Sequence, residues 1–192
     1  WTPRCNFVEL FINDEYEGVY VLMEKIKRGQ YRVNIANLHA SDTTGTAITG
    51  GYICKIDKTT GTSTGGWYSS FDYCGDSSLH NKLYFQFDEP SQQSMPTIQQ
   101  NYIETYVDSF EQTLNGNNIQ DSTAGWRHYF GEESAIDFSI MNEVAKNIDG
   151  YRLSTYFTKN RGGKIEMGPL WDFNLTYGNA NYLEGWTPIG WY

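Results

Sequence analysis

Apolar and polar residues alternate over two stretches near the N-terminus, "FVELFI" and "VYVLMEKI", with the polar "NDEYEG" between them. Side chains along a strand point to opposite faces in turn, so residues 7–26 read as a β-hairpin. In its second strand Gly18, Tyr20, Leu22, Glu24 and Ile26 share one face. Glu24 then stands in line with apolar neighbours, and an acid on such a face requires a cation or several donors. Lys55 and Arg152 are the basic residues expected to pair with it.

Residues 39–80 are rich in Gly, Ser and Thr. They hold one strand, in "GGYICKID" over 50–57, followed by "KTTGTSTGGWYSS", a long loop or a pair of short strands. "KLYFQF", residues 82–87, is a further strand stopped by "DEP". The period then changes from 2 to 3.6. Ile103, Val107, Phe110 and Leu114 form the apolar stripe of one helix, ended by "NGNN". A second helix is expected to be capped by Ser134, with Asp137 three residues on and Ile136, Ile140, Val144 and Ile148 as its buried stripe. Gly150 breaks this helix and leaves Asp149 just past its C-terminus. "YRLSTYFT" and "KIEMGPLWDF", joined by "KNRGGK", complete the pattern as a second hairpin. Strands, two helices and a hairpin in that order define an α+β protein, with an N-terminal antiparallel sheet and a more helical C-terminal half.

The chain has 192 residues, enough for one domain or one two-lobed domain with a substantial core. Its charge is acidic, 23 Asp and Glu against 14 Lys and Arg, which argues against a nucleic-acid binder because that function needs a basic face. It contains no 18-residue apolar run of the kind that spans a membrane. The abrupt opening "WTPRCNFVELF" suggests a piece of a longer protein, and the abundance of Tyr, Asn, Gly and Thr suggests an exported one. Cys5, Cys54 and Cys74 form no CxxC, and the three His are scattered, so zinc is not expected. The cysteines form either one disulfide with a free thiol or three small buried apolar positions.

The second hairpin carries the candidate chemistry. Asp149 precedes its first strand and Asp172 closes its second, so antiparallel pairing brings the two acids to the same end. Two converging carboxylates can bind a divalent cation, act as the acid and base of a glycosidase, or divide the roles of base and metal ligand in phosphoryl transfer. Ser154 follows Asp149 by five residues, and Asp172-Phe173-Asn174 comes a hairpin later. Protein kinases use a loosely similar spacing for a catalytic Asp, a polar metal ligand and the Asp of Asp-Phe-Gly.

"GVYVLMEKI", "GGYICKID", "NEVAKNIDGYRLSTYFTK" and "GPLWDFNLTYGNA" together resemble, in order, four blocks of the CotH family, the spore-coat protein H kinases. This resemblance covers nearly the whole chain. It implies an atypical protein-kinase-like fold in one domain over 1–192, with an N-lobe at about 1–98 and a C-lobe at about 99–192. It further implies transfer of phosphate from Mg-ATP to Ser or Thr of extracellular or coat proteins, in a secreted or cell-surface setting. By motif, Asp149 is the catalytic acid and Asp172 the metal ligand, with Asn174 and Ser154 beside it; many members carry a second acid where this chain has Asn174. Lys55, Glu24 and Arg152 are the expected nucleotide-binding residues, with Lys82 and Lys164 as alternatives to Lys55. The competing expectation is a catalytically inactive extracellular module that binds carbohydrate or a surface protein through Trp67, Tyr68, Trp171, Trp186 and Trp191.

Overall fold

A computed structural model describes residues 1–60, 65–72 and 82–191. Its described elements run β1 (Cys5–Ile12), β2 (Glu15–Met23), β3 (Tyr52–Ile56), β4 (Gly66–Asp72), β5 (Lys82–Glu89), α1 (Thr97–Asn115), α2 (Glu132–Ala145), β6 (Thr155–Lys159) and β7 (Ile165–Met167). Among the described residues the fold is mixed α+β, with two antiparallel sheets and two α-helices.

The N-terminal hairpin forms, with Cys5 opposite Met23 and Ile12 opposite Glu15, but β2 starts at Glu15 and ends at Met23, so Glu24 and Ile26 lie beyond the strand. Its turn is shorter than expected. Asn13 and Asp14 both take positive φ, 51° and 69°, which suits a two-residue turn matched to the strand twist. This hairpin is a sheet of its own, and most of its side chains are exposed, Phe7 at 82%.

The second sheet has the order β4-β5-β3-β6-β7. β3 lies at its centre, antiparallel to β5 on one side and to β6 on the other. Strands from both halves of the chain therefore make one sheet. Its two faces follow the period of 2. Tyr52, Cys54, Phe85, Phe87, Phe157 and Ile165 face α1 and form the main core with Ile103 and Val107. Ile53 and Tyr156 face the other way, onto Ile26, Val33, Ile35 and Trp171.

The expected stripe of α1 is half right. Ile103 and Val107 are buried, as is Gln99, while Leu114 is exposed. The expected stripe of α2 is on the wrong side. Phe138, Asn142 and Ala145 are buried, whereas Ile136, Ile140 and Val144 are exposed, Val144 at 68%. The helix is apolar on both sides, so periodicity alone does not select the inner face. Asn142 can lie on the inner side because its polar atoms are satisfied there, donating to the Phe138 carbonyl and accepting from Asn147. Ser134 is also not the cap. Gly131 precedes the helix, and Ser134, inside the first turn, donates back to the Gly131 carbonyl. Ile148 is buried, but beyond the helix end. Cys5 is an exposed free thiol and Cys54 a buried one; Cys74 lies outside the described residues.

Lys159 is an unexpected core residue, 2% exposed. Its amine donates to the Thr49 carbonyl and lies 4.3 Å from the centre of the Tyr106 ring. Burial lowers its pKa to about 8. The folded value is below the unfolded one, so between those two pH values the unfolded chain holds more protons and stability rises with pH. The destabilising effect is fully present below about pH 8. In urea denaturation, Lys159→Met should gain on the wild type by about 2–3 kcal/mol between pH 10.5 and pH 7. An equal stability gap at the two pH values would contradict this.

Candidate functional site

The loop that carries Asp149 is shaped by buried amides. Lys146 closes α2 in the left-handed conformation, and the Asn147 side chain then donates to Asn142 Oδ1 at 2.9 Å. Asn147 Oδ1 in turn accepts from the Asp149 amide at 3.3 Å. Gly150 is needed for space, because a Cβ there would meet Asn142 Oδ1 at 2.6 Å. The chain coils back through Leu153 N–H, which donates to the Asp149 carbonyl at 3.0 Å. Tyr151 and Ser154 both have positive φ, 67° and 49°, so this loop holds two side chains in strained backbone.

Asp172 reaches the same place from the other strand. β7 pairs with β6 in the register Phe157 to Met167, and the Gly168 amide then donates to the Tyr156 carbonyl at 2.8 Å. Trp171 packs edge-on against Tyr156, with ring centres 6.5 Å apart. Asp172 follows with φ 64° and accepts from Ser154 Oγ at 3.3 Å. Asn174 is best oriented with its amide nitrogen toward Asp172, donating to Oδ1 at 2.8 Å and to the backbone carbonyl at 3.2 Å. Beyond it, the Tyr177 amide donates to the Ala145 carbonyl and ties this segment to the end of α2. Thus Asp149, Ser154, Asp172 and Asn174 lie in segments joined to one another at one end of the β6–β7 hairpin.

The residues expected to bind nucleotide are arranged differently from expectation. Glu24 is partly buried and ion-paired, but its partners are Arg4 at 2.6 Å and Arg32 at 3.9 Å, not Lys55 or Arg152. The hydrogen bond from the Arg4 side chain pulls its pKa down to about 2. Hairpin register explains the pairing. Cys5 opposes Met23, so Arg4 opposes Glu24, and the Glu24 amide donates to the Arg4 carbonyl. Arg152 instead bonds Asp149, its Nη2 donating to Oδ1 at 2.6 Å.

Lys55 lies on the Tyr156 face of the sheet, between Gln86 and Tyr156 in the cross-strand register. It is ion-paired with Asp88 at 3.3 Å, both side chains being largely buried, and its amine lies 5.7 Å from the Tyr156 ring centre. Burial, and then the charges of Asp88, Asp57 and Asp172, push the Tyr156 phenol far above its usual pKa. Tyr156 has the Lys55 amine over its ring and Trp171, the chain neighbour of Asp172, packed edge-on against it. Sequence reading missed Asp88 and Tyr156. Alternation from Phe85 and Phe87 placed Asp88 on the face opposite the core, which was the available signal. Lys82 donates to the Ser70 carbonyl on the exposed surface, and Lys164 is exposed.

Among the described residues no group of three or more His, Cys, Asp or Glu is placed to hold a metal. Mg2+ does not need one. It is commonly held by one or two carboxylates, with water and substrate phosphates completing six oxygens. Asp172, with Ser154 and Asn174 in contact, fits that donor chemistry. A hollow of about 450 Å³ is lined by Arg32, Asn34, Asp137, Thr158, Gly168 and Leu170 among others; neither Asp149 nor Asp172 lines it.

The β6–β7 hairpin thus brings the segments that carry Asp149 and Asp172 together at its open end, through the Ser154–Asp172 bond. The family model described as CotH kinase protein matches residues 1–190, and the chain belongs to the CotH family. No curated protein and no solved structure matches it. No helix among the described residues is long and apolar enough to cross a membrane.

Proposed function

We propose that the protein transfers the γ-phosphate of Mg-ATP to a Ser or Thr hydroxyl of extracellular or coat proteins, in a secreted or cell-surface setting. The observation that carries this reading is the Ser154 to Asp172 bond, which joins the loop of Asp149 to the second acid. Asp149 accepts the proton of the acceptor hydroxyl. Asp172 holds the cation, with Ser154 and Asn174 beside it, and the cation neutralises phosphate charge. Lys55, kept in place by Asp88 and lying over the Tyr156 ring, supplies a positive charge for the phosphates. Family membership supports this assignment.

The test is calorimetry of ATP binding with and without Mg2+, together with transfer of labelled γ-phosphate to Ser-containing acceptor peptides. Asn174→Asp should tighten Mg2+-dependent ATP binding by about 1 kcal/mol, the scale of one added charge contact in a partly exposed site. Weaker binding in that variant would remove Asn174 from the cation site. Trp186 and Trp191, the latter 86% exposed, favour a second reading in which the chain is an inactive module that binds carbohydrate. Absence of any heat with Mg-ATP, together with retention on polysaccharide, would select it.

A further inference from the structure

The contact between Arg152 and Asp149 has no role in that scheme, yet the local backbone is built around it. Asp149, at the foot of α2, and Arg152 are three residues apart, and the turn closed by Leu153 N–H on the Asp149 carbonyl brings the guanidinium back over the carboxylate. Tyr151 and Ser154, on either side of Arg152 and Leu153, hold the left-handed conformations that this turn requires. Arg152 Nε also donates to the Ile148 carbonyl at 3.3 Å, which fixes the plane of the guanidinium. The Nη2 bond goes to Oδ1 of Asp149. A carboxylate held by one oxygen is fixed in rotation and leaves the other oxygen to accept a proton.

We propose that Arg152 is a positioning residue for Asp149: it holds Oδ1 so that Oδ2 faces the acceptor hydroxyl. This rests on the reading of Asp149 as the base. In the step it serves, the acceptor O–H gives its proton to Oδ2. The acceptor oxygen bonds to the γ-phosphorus, and the bond from that phosphorus to the bridging oxygen breaks, its electron pair leaving with ADP. The pair is partly exposed, 41% for Arg152 and 20% for Asp149, so it contributes little to stability, which leaves orientation as its consequence.

The test compares wild type, Arg152→Gln and Arg152→Lys in kcat and in KM for ATP at fixed acceptor. The carboxyl 13C resonance of Asp149 is followed in Asp-labelled protein, assigned with Asp149→Asn. Arg152→Gln should lower kcat about 10-fold to 100-fold with KM for ATP nearly unchanged, and Arg152→Lys should recover part of the loss. The Asp149 resonance should move in Arg152→Gln. A rise in KM with kcat intact would make Arg152 a nucleotide ligand and overturn the proposal, as would a kcat equal to wild type. If the wild type transfers no phosphate, the base reading fails by itself. The resonance then decides the positioning: a shift in Arg152→Gln supports it and an unchanged signal overturns it.

Discussion

Asp172→Ala should abolish Mg2+-dependent ATP binding and lower phosphate transfer by about 10³-fold or more, because phosphoryl transfer depends on neutralising the phosphate charge. Asp172 is the acid on which Ser154 and Asn174 converge. Its φ of 64° makes Ala a poor replacement on backbone grounds alone. Asp172→Asn is the better companion, since Asn tolerates that conformation and matches the side chain in size while removing the charge. Calorimetry with and without Mg2+ on both variants separates loss of the cation from loss of the fold. Wild-type affinity in Asp172→Asn would show that this carboxylate holds no metal.

Asp149→Asn should leave Mg-ATP affinity nearly intact while lowering turnover by about 10²-fold or more, the scale of a lost general base. The expected separation between binding and turnover follows from geometry. Asp149 is held by Arg152 and by the buried Asn147, whereas the contacts of Asp172 are Ser154 and Asn174. Parallel loss of binding and turnover in Asp149→Asn would place Asp149 among the phosphate or metal contacts and leave the base unassigned.

The placement of the candidate acids at one hairpin end was legible because it depends on short-range order. Asp149 and Asp172 flank a hairpin whose strands are β-prone and whose turn contains Gly162 and Gly163, and antiparallel pairing alone brings its open ends together. The α+β class and the β1–β2 hairpin were legible for the same reason, since alternation and turn residues act over a few positions. The Arg4–Glu24 pair was not legible, because a six-residue turn over "NDEYEG" sets Glu24 opposite Phe7, and only the two-residue turn at Asn13 and Asp14 brings Arg4 opposite Glu24.

What the sequence determined by itself was local: which segments alternate, where turns fall, and which acids end up at one end of a hairpin. Tertiary structure alone decided the rest. Which face of α2 is buried was not set by periodicity, because Ile136, Ile140 and Val144 offer an equally apolar face; on the inner side Asn142 is satisfied by Asn147. Lys55 found Asp88 because β3 lies between β5 and β6 in the sheet, and strand order is set by contacts between residues far apart in the chain. Lys159, read from sequence as the first residue of the hairpin loop "KNRGGK", lies under Tyr106 because α1 covers that face of the sheet. Periodicity reports how one segment divides into faces; only packing against other segments assigns each face to core, solvent or site.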